Sequence, residues 1–164
     1  MDALAKRIGE RLKTSRQKLV SAESCTGGWA AQVVTSVAGS SEWFERGFVT
    51  YSNEAKQESL GVPAEILAKH GAVSEETARE MALGALRHSK GTVAVSITGV
   101  AGPTGGSASK PVGTVCFGWT TRAAGGSAAL ARSETRHFAG DRESVRRQSV
   151  IHALEGVIKL LDSA

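Results

Sequence analysis

Apolar residues recur at two spacings along the chain, and these predict helices alternating with strands. Over residues 2–16 they recur every three or four positions opposite charged residues, the pattern of an amphipathic helix. Helices are also predicted over 27–37 and 54–60, after Pro63, after Ser74 and after Asp141. Runs of β-branched and aromatic residues predict strands over 18–22, 43–51, 92–98, 112–119 and 129–138, with a hairpin-like connection over 123–127.

The order of these elements indicates the fold class. Helices alternate with strands in the first half, whereas two strands adjoin in the second half. This order predicts an α/β fold with a mixed sheet and helices on both faces. Neither an internal repeat nor a linker divides the sequence, so one domain over 1–164 is expected. Three loops, 22–28, 51–56 and 98–111, are expected to meet at one sheet edge, where such folds bind ligands.

Composition narrows the function classes. A hydrophobic content of 41% and a charged content of 22% are typical of a soluble globular protein. The net charge of +4 is spread among acidic residues and forms no basic, aromatic-rich stripe, so nucleic acid is not an expected partner. Two cysteines make no disulfide framework, and metal-ligand spacing is absent. Without a secretory pattern or a membrane-spanning apolar run, a cytoplasmic location is expected.

The stretch 22–28 (AESCTGG) is the first candidate for chemistry. It follows a predicted strand and precedes a predicted helix, so its backbone N–H groups lie at a helix N-terminus that suits an anion or an oxyanion. One hypothesis makes Ser24 a nucleophile. The other is a tight turn capped by Ser24 or Thr26, and the local pattern alone favours it because such caps are common.

A serine nucleophile needs a group that takes its proton. Lys56 is predicted in the first turn of a helix, where the helix dipole and partial burial lower a lysine pKa. Tyr51 ends the preceding strand and is a candidate proton relay. Alternatively, Lys56 is solvated and Tyr51 is an amphipathic core residue. Glu23 is expected to point away from Ser24, because neighbours on a strand face opposite sides.

Other nucleophile–base pairs have less support. None of the four histidines stands beside a clear orienting carboxylate, which disfavours a histidine triad. Cys25 is a rival nucleophile if the helix N-terminus lowers its thiol pKa, although a small buried cysteine is the commoner case. The glycine-rich loop 99–107 lacks the ending of a phosphate-binding loop.

Arg142, Arg146 and Arg147 fall in the first turns of the last predicted helix, where they oppose its dipole. A phosphate ligand, or a carboxylate across a subunit interface, explains such a cluster. An exposed charged face paired within itself is the alternative.

Six segments together resemble a known family: 22–28, 47–56 (GFVTYSNEAK), 70–74 (HGAVS), 96–103 (SITGVAGP), 110–115 (KPVGTV) and 140–142 (GDR). They are similar to the CinA C-terminal domain family, in particular to its stand-alone nicotinamide-nucleotide amidohydrolases. The resemblance implies a three-layer α/β/α sandwich, a homo-oligomer (most simply a dimer), and no metal or cofactor. It also implies hydrolysis of nicotinamide mononucleotide (NMN) to nicotinate mononucleotide and ammonia.

The resemblance assigns a serine–lysine mechanism to Ser24 and Lys56, with Tyr51 nearby. The N–H groups at the start of the 27–37 helix are expected to hold the oxyanion. The expected substrate-binding residues are Thr26, Gly27, Gly28, Thr98, Gly99, Gly102 and Arg142, the last of these at a phosphate or an interface. The alternative function is a non-catalytic binding module associated with competence or recombination.

Overall fold

A computed structural model describes residues 1–123, 126–129 and 131–163. The helices are α1 (Asp2–Thr14), α2 (Trp29–Thr35), α3 (Asn53–Leu60), α4 (Ala64–His70), α5 (Glu75–Arg87) and α6 (Arg142–Asp162). The strands are β1 (Leu19–Glu23), β2 (Phe44–Val49), β3 (Val93–Gly99), β4 (Thr114–Thr121) and β5 (Arg132–His137). Among these described residues, no helix is both long and apolar enough to cross a membrane.

The strands form one mixed sheet in the order β2-β1-β3-β4-β5. β1 runs parallel to β2 and β3, whereas β4 is antiparallel to both β3 and β5. The predicted mixed sheet is therefore confirmed. The carboxyl ends of β1, β2 and β3 lie at the same edge, which is where the loops after Glu23, Val49 and Gly99 begin.

Alternating side chains of the sheet bury two separate apolar clusters. Leu19 of β1 joins one cluster with residues of α1, α2 and α6. Val20 and Ala22 join the other with residues of α3, α4 and α5. Helices thus cover both faces, which confirms the three-layer α/β/α sandwich. The alternation follows from the two-residue period of a strand.

Small residues bring α5 very close to the sheet. A Cβ atom added at Gly118 of β4 would lie 2.5 Å from the carbonyl oxygen of Ala78 on α5. The hydroxyl of Ser96 donates to the same carbonyl at 2.5 Å. Both contacts hold α5 against β3 and β4, and α5 in turn supports the α3 layer.

Local capping signals place the helix ends. Ser74 and Asp141 accept hydrogen bonds from backbone N–H groups at the starts of α5 and α6, as their sequence positions predict. Ser52 accepts such a bond at the start of α3. Gly61 ends α3 in the left-handed conformation. The predicted connection over 123–127 includes Ala124 and Gly125, and the predicted last strand includes Leu130; these three lie outside the described residues.

Candidate active site

The end of β1 sends two successive side chains to opposite faces of the sheet, as expected. The Glu23 carboxylate faces α2, where it accepts hydrogen bonds from the Thr26 hydroxyl at 2.7 Å and from the backbone N–H groups of Ala30 and Ala31 at 2.9 and 3.1 Å. Ser24 instead faces α3. The N–H groups of Ala30 and Ala31, in the first turn of α2, are therefore bonded to Glu23 and are not free to hold an oxyanion.

Lys56 reaches Ser24 from α3. Its Nζ lies 3.0 Å from Ser24 Oγ and donates to the Thr50 carbonyl at 2.8 Å. The side chain is 1% exposed, and it forms no salt bridge within the described part of the chain. Burial lowers the pKa of Lys56 below its usual 10.5. Ser24 is itself buried, with 8% of its surface exposed.

Tyr51 lies at the mouth of the site rather than between Ser24 and Lys56. It is 62% exposed, and its hydroxyl accepts a hydrogen bond from Arg142 Nη2 at 3.0 Å. Arg142 Nη1 also donates to the Gly102 carbonyl at 2.7 Å. Because Lys56 contacts Ser24 directly, a proton transfer between them needs no relay through Tyr51.

A cleft of about 290 Å³ opens over Ser24 and Lys56. Its lining comprises Ser24, Cys25, Tyr51, Lys56, Ala72, Val73, segments 98–102 and 104–106, and Arg142. Thr98, Gly99, Gly102 and Arg142 are thus brought to the cleft. Thr26, Gly27 and Gly28 are not among its lining residues: the Thr26 side chain is fully buried against Glu23, and the two glycines lie in the turn that leads to α2.

Cys25 borders the cleft but is a poor nucleophile. Burial raises the pKa of its thiol to about 12, so Cys25 is the small buried cysteine that the sequence favoured and not the rival nucleophile. The thiol is almost wholly protonated at neutral pH.

The histidines lie away from Ser24. His88 and His152 contact the Gly84 carbonyl and Glu134, respectively, and His70 and His137 line a neighbouring cavity of about 600 Å³ that contains neither Ser24 nor Lys56. No group of three or more metal-ligating side chains occurs in the described ranges.

Arg146 is the site residue whose place the sequence did not reveal. Its Nε donates to the Cys25 carbonyl and its Nη2 to the Thr26 carbonyl, each at 3.1 Å. The sequence did indicate that Arg146 has a binding partner, since an arginine near a helix N-terminus needs a compensating contact. The sequence separation of 121 residues hid which group supplies that contact.

The fold and the cleft define an α/β/α domain with a buried serine–lysine pair at the carboxyl edge of its sheet. The CinA C-terminal domain model matches residues 1–161, and the chain belongs to this family. The family resemblance inferred from the sequence is therefore confirmed.

Two curated relatives and one solved structure illustrate the similarity. The chain is 54% identical to "Nicotinamide-nucleotide amidohydrolase PncC" of Escherichia coli (strain K12), covering 93% of this chain and 89% of that protein. It is 50% identical to the protein of the same name from Pseudomonas putida, covering 96% and 94%. The competence/damage inducible protein CihA of Agrobacterium tumefaciens superposes with a TM-score of 0.89 at 45% identity, covering 97% and 94% of the two chains.

Proposed function

We propose that this protein hydrolyses the carboxamide of NMN, giving nicotinate mononucleotide and ammonia. The observation that carries the chemistry is the 3.0 Å contact between buried Lys56 Nζ and Ser24 Oγ. The substrate class rests on the curated relatives, which are named nicotinamide-nucleotide amidohydrolases at 50–54% identity over nearly the whole chain.

The proposed reaction runs through a nicotinoyl ester of Ser24. Neutral Lys56 takes the Ser24 proton while Oγ attacks the carboxamide carbon. The tetrahedral intermediate collapses, the C–N bond breaks, and protonated Lys56 gives its proton to the leaving ammonia. Water then attacks the ester, again with Lys56 as base. The C–O bond to Ser24 breaks, protonated Lys56 returns its proton to Oγ, and the carboxylate product leaves. The positively charged pyridinium ring makes the carbonyl more electrophilic, which assists a base of modest strength.

The Ser24 turn (residues 24–27) offers donors for the oxyanion. Within the described residues, the N–H groups of Cys25 and Thr26 donate to no backbone or side-chain acceptor. These two groups replace the first-turn amides of α2 in our proposal, and Thr26 thus contributes through its backbone.

The rest of the cleft suits the nucleotide. Thr98, Gly99 and Gly102 form the wall that receives the nucleoside, since all three line the cleft above Ser24 and Lys56. The Arg142 guanidinium retains donors beyond those bonded to Tyr51 and Gly102, and we assign them to the phosphate. The homodimer, the absence of any cofactor and the cytoplasmic location stay predictions.

The site favours catalysis over a non-catalytic binding module associated with competence. A lysine buried without a carboxylate partner is costly to keep, because desolvation penalises its charged form. A module that only docks a partner has no use for such a group beneath its surface. As a neutral base beside a serine, the same lysine has a chemical role.

Ammonia release from a panel of pyridine nucleotides tests the proposal. Wild-type protein is expected to act on NMN, and Ser24→Ala is expected to lose activity by at least about 10³-fold while keeping its melting temperature. Ser21→Ala is the matched control, because Ser21 is a buried serine of β1, three residues before Ser24, and its hydroxyl has no hydrogen-bond partner among the described residues. Near-wild-type turnover by Ser24→Ala refutes the serine mechanism, and absence of ammonia from every nucleotide refutes the assigned activity.

A further inference from the structure

The first three peptide units after Ser24, in the turn that leads to α2, each have a carbonyl fixed by a hydrogen bond. The Ser24 carbonyl accepts from the Gly27 N–H at 3.0 Å. The Cys25 carbonyl accepts from Arg146 Nε at 3.1 Å. The Thr26 carbonyl accepts from Arg146 Nη2 and from the Trp29 N–H, both at 3.1 Å. Arg146 therefore contacts two of the three units.

The orientation of a carbonyl sets the orientation of the next N–H group. A trans peptide is planar, so its C=O and N–H point in opposite directions. Holding the Cys25 carbonyl thus fixes the direction of the Thr26 N–H, one of the two unbonded donors beside Ser24. Holding the Thr26 carbonyl fixes the Gly27 N–H, which in turn holds the Ser24 carbonyl and so orients the Cys25 N–H.

We propose that Arg146 is a positioning residue that sets the two oxyanion donors through the carbonyls of the Ser24 turn. The inference rests on the proposed function and adds to it a residue outside the cleft lining. A guanidinium suits this task because its rigid fork presents Nε and Nη2 side by side to two neighbouring acceptors. Lysine, with a single point charge, cannot hold both carbonyls in the same way.

The neighbouring arginine of α6 provides an internal comparison. Arg146 and Arg147 both lie over the Trp29 ring, at 5.4 and 5.2 Å from its centroid. Arg147 is exposed and pairs with Glu143 at 2.9 Å, and it makes no hydrogen bond to the Ser24 turn. The two residues thus share charge, helix and aromatic contact, and they differ in the bonds to Cys25 and Thr26.

Steady-state kinetics on NMN with Arg146→Ala, Arg146→Lys and Arg147→Ala test this role. Arg146→Ala is expected to lower kcat by about 10–100-fold with KM within about twofold, because removing an oxyanion donor outright costs about 10²–10³-fold. Arg146→Lys is expected to fall between wild type and Arg146→Ala, and added guanidinium ion is expected to restore part of the Arg146→Ala rate. Arg147→Ala is expected to match wild type. Melting temperatures are measured for all variants, and Arg146→Lys keeps the test valid should Arg146→Ala unfold.

A fluorophosphonate probe separates this inference from the choice of substrate. Its phosphoryl oxygen takes the oxyanion position when Ser24 attacks phosphorus, the Ser24 proton passes to Lys56 and the P–F bond breaks to release fluoride. Labelling therefore does not depend on NMN. Labelling of Ser24 is expected to slow by a similar factor in Arg146→Ala and to stay unchanged in Arg147→Ala. The positioning role is overturned if Arg146→Ala and Arg147→Ala are labelled at equal rates or if wild-type Ser24 does not react. It is also overturned if Arg146→Ala raises KM for NMN at unchanged kcat. Loss of NMN turnover with the labelling pattern intact refutes only the assigned substrate.

Discussion

Replacing Lys56 by methionine separates the catalytic use of this residue from its cost to the fold. Methionine has a similar length and fills the same buried space, but it has no group that accepts a proton. General-base catalysis contributes about 10²–10⁴-fold to rates, and Lys56→Met is expected to lose at least that factor in kcat. In the wild type, kcat/KM is expected to rise with pH as Lys56 loses its proton, with a midpoint below 10.5.

The effect on stability follows from the contacts and the burial of Nζ. The substitution removes two hydrogen bonds, to Thr50 and Ser24, worth about 1 kcal/mol each. It also removes the desolvation penalty of a buried ammonium group, which is on the order of several kcal/mol. At neutral pH the variant is therefore expected to be destabilised by no more than about 2 kcal/mol, or about 4–8 °C in melting temperature for a chain of this size.

The pH dependence of stability gives the sharper test. Because folding lowers the pKa of Lys56, the unfolded chain binds more protons between that lowered pKa and 10.5. The contribution of Lys56 to the free energy of unfolding therefore rises with pH in this window, by at most about 1.4 kcal/mol per pH unit. The same contribution is lost as the pH falls through the lowered pKa. Urea unfolding of wild type and Lys56→Met from pH 7 to 10.5 measures the difference. A difference that is flat or falls with pH, or a variant with near-wild-type kcat, refutes the neutral-lysine argument.

Three further substitutions test the surroundings of the pair. Tyr51→Phe is expected to keep kcat within about threefold, because Lys56 reaches Ser24 without a relay; a loss comparable to that of Lys56→Met in ammonia-release kinetics contradicts this. Arg142→Ala is expected to raise KM for NMN by about 10–100-fold, as a charge-assisted bond is worth about 1.5–3 kcal/mol, and to raise KM for the phosphate-free riboside much less. Equal increases for both substrates rule out phosphate binding. Cys25→Ala is expected to keep most activity, since a thiol with a pKa of about 12 carries little charge at pH 7, and inactivation of this variant contradicts the choice of nucleophile.

Local chemistry let the sequence predict most of the secondary structure. Helix caps at Ser52, Ser74 and Asp141 act within three residues of themselves, so their effect is readable without the fold. The observed ends of some elements differ from the predicted ends by a few residues. The strand predicted to start at 112 begins at Thr114, because Gly113 has a φ of +94°, outside the range of a strand.

The sequence by itself therefore determined the α/β class, the family resemblance and the two side chains, Ser24 and Lys56, whose chemistry the proposal uses. Only the tertiary structure decided that Lys56 contacts Ser24 directly, that Glu23 occupies the start of α2, and that Arg146 holds the turn. These relations join groups up to 121 residues apart or depend on burial. Periodicity and capping report the interactions of near neighbours, whereas distances and desolvation are set when the sheet brings remote segments to one edge.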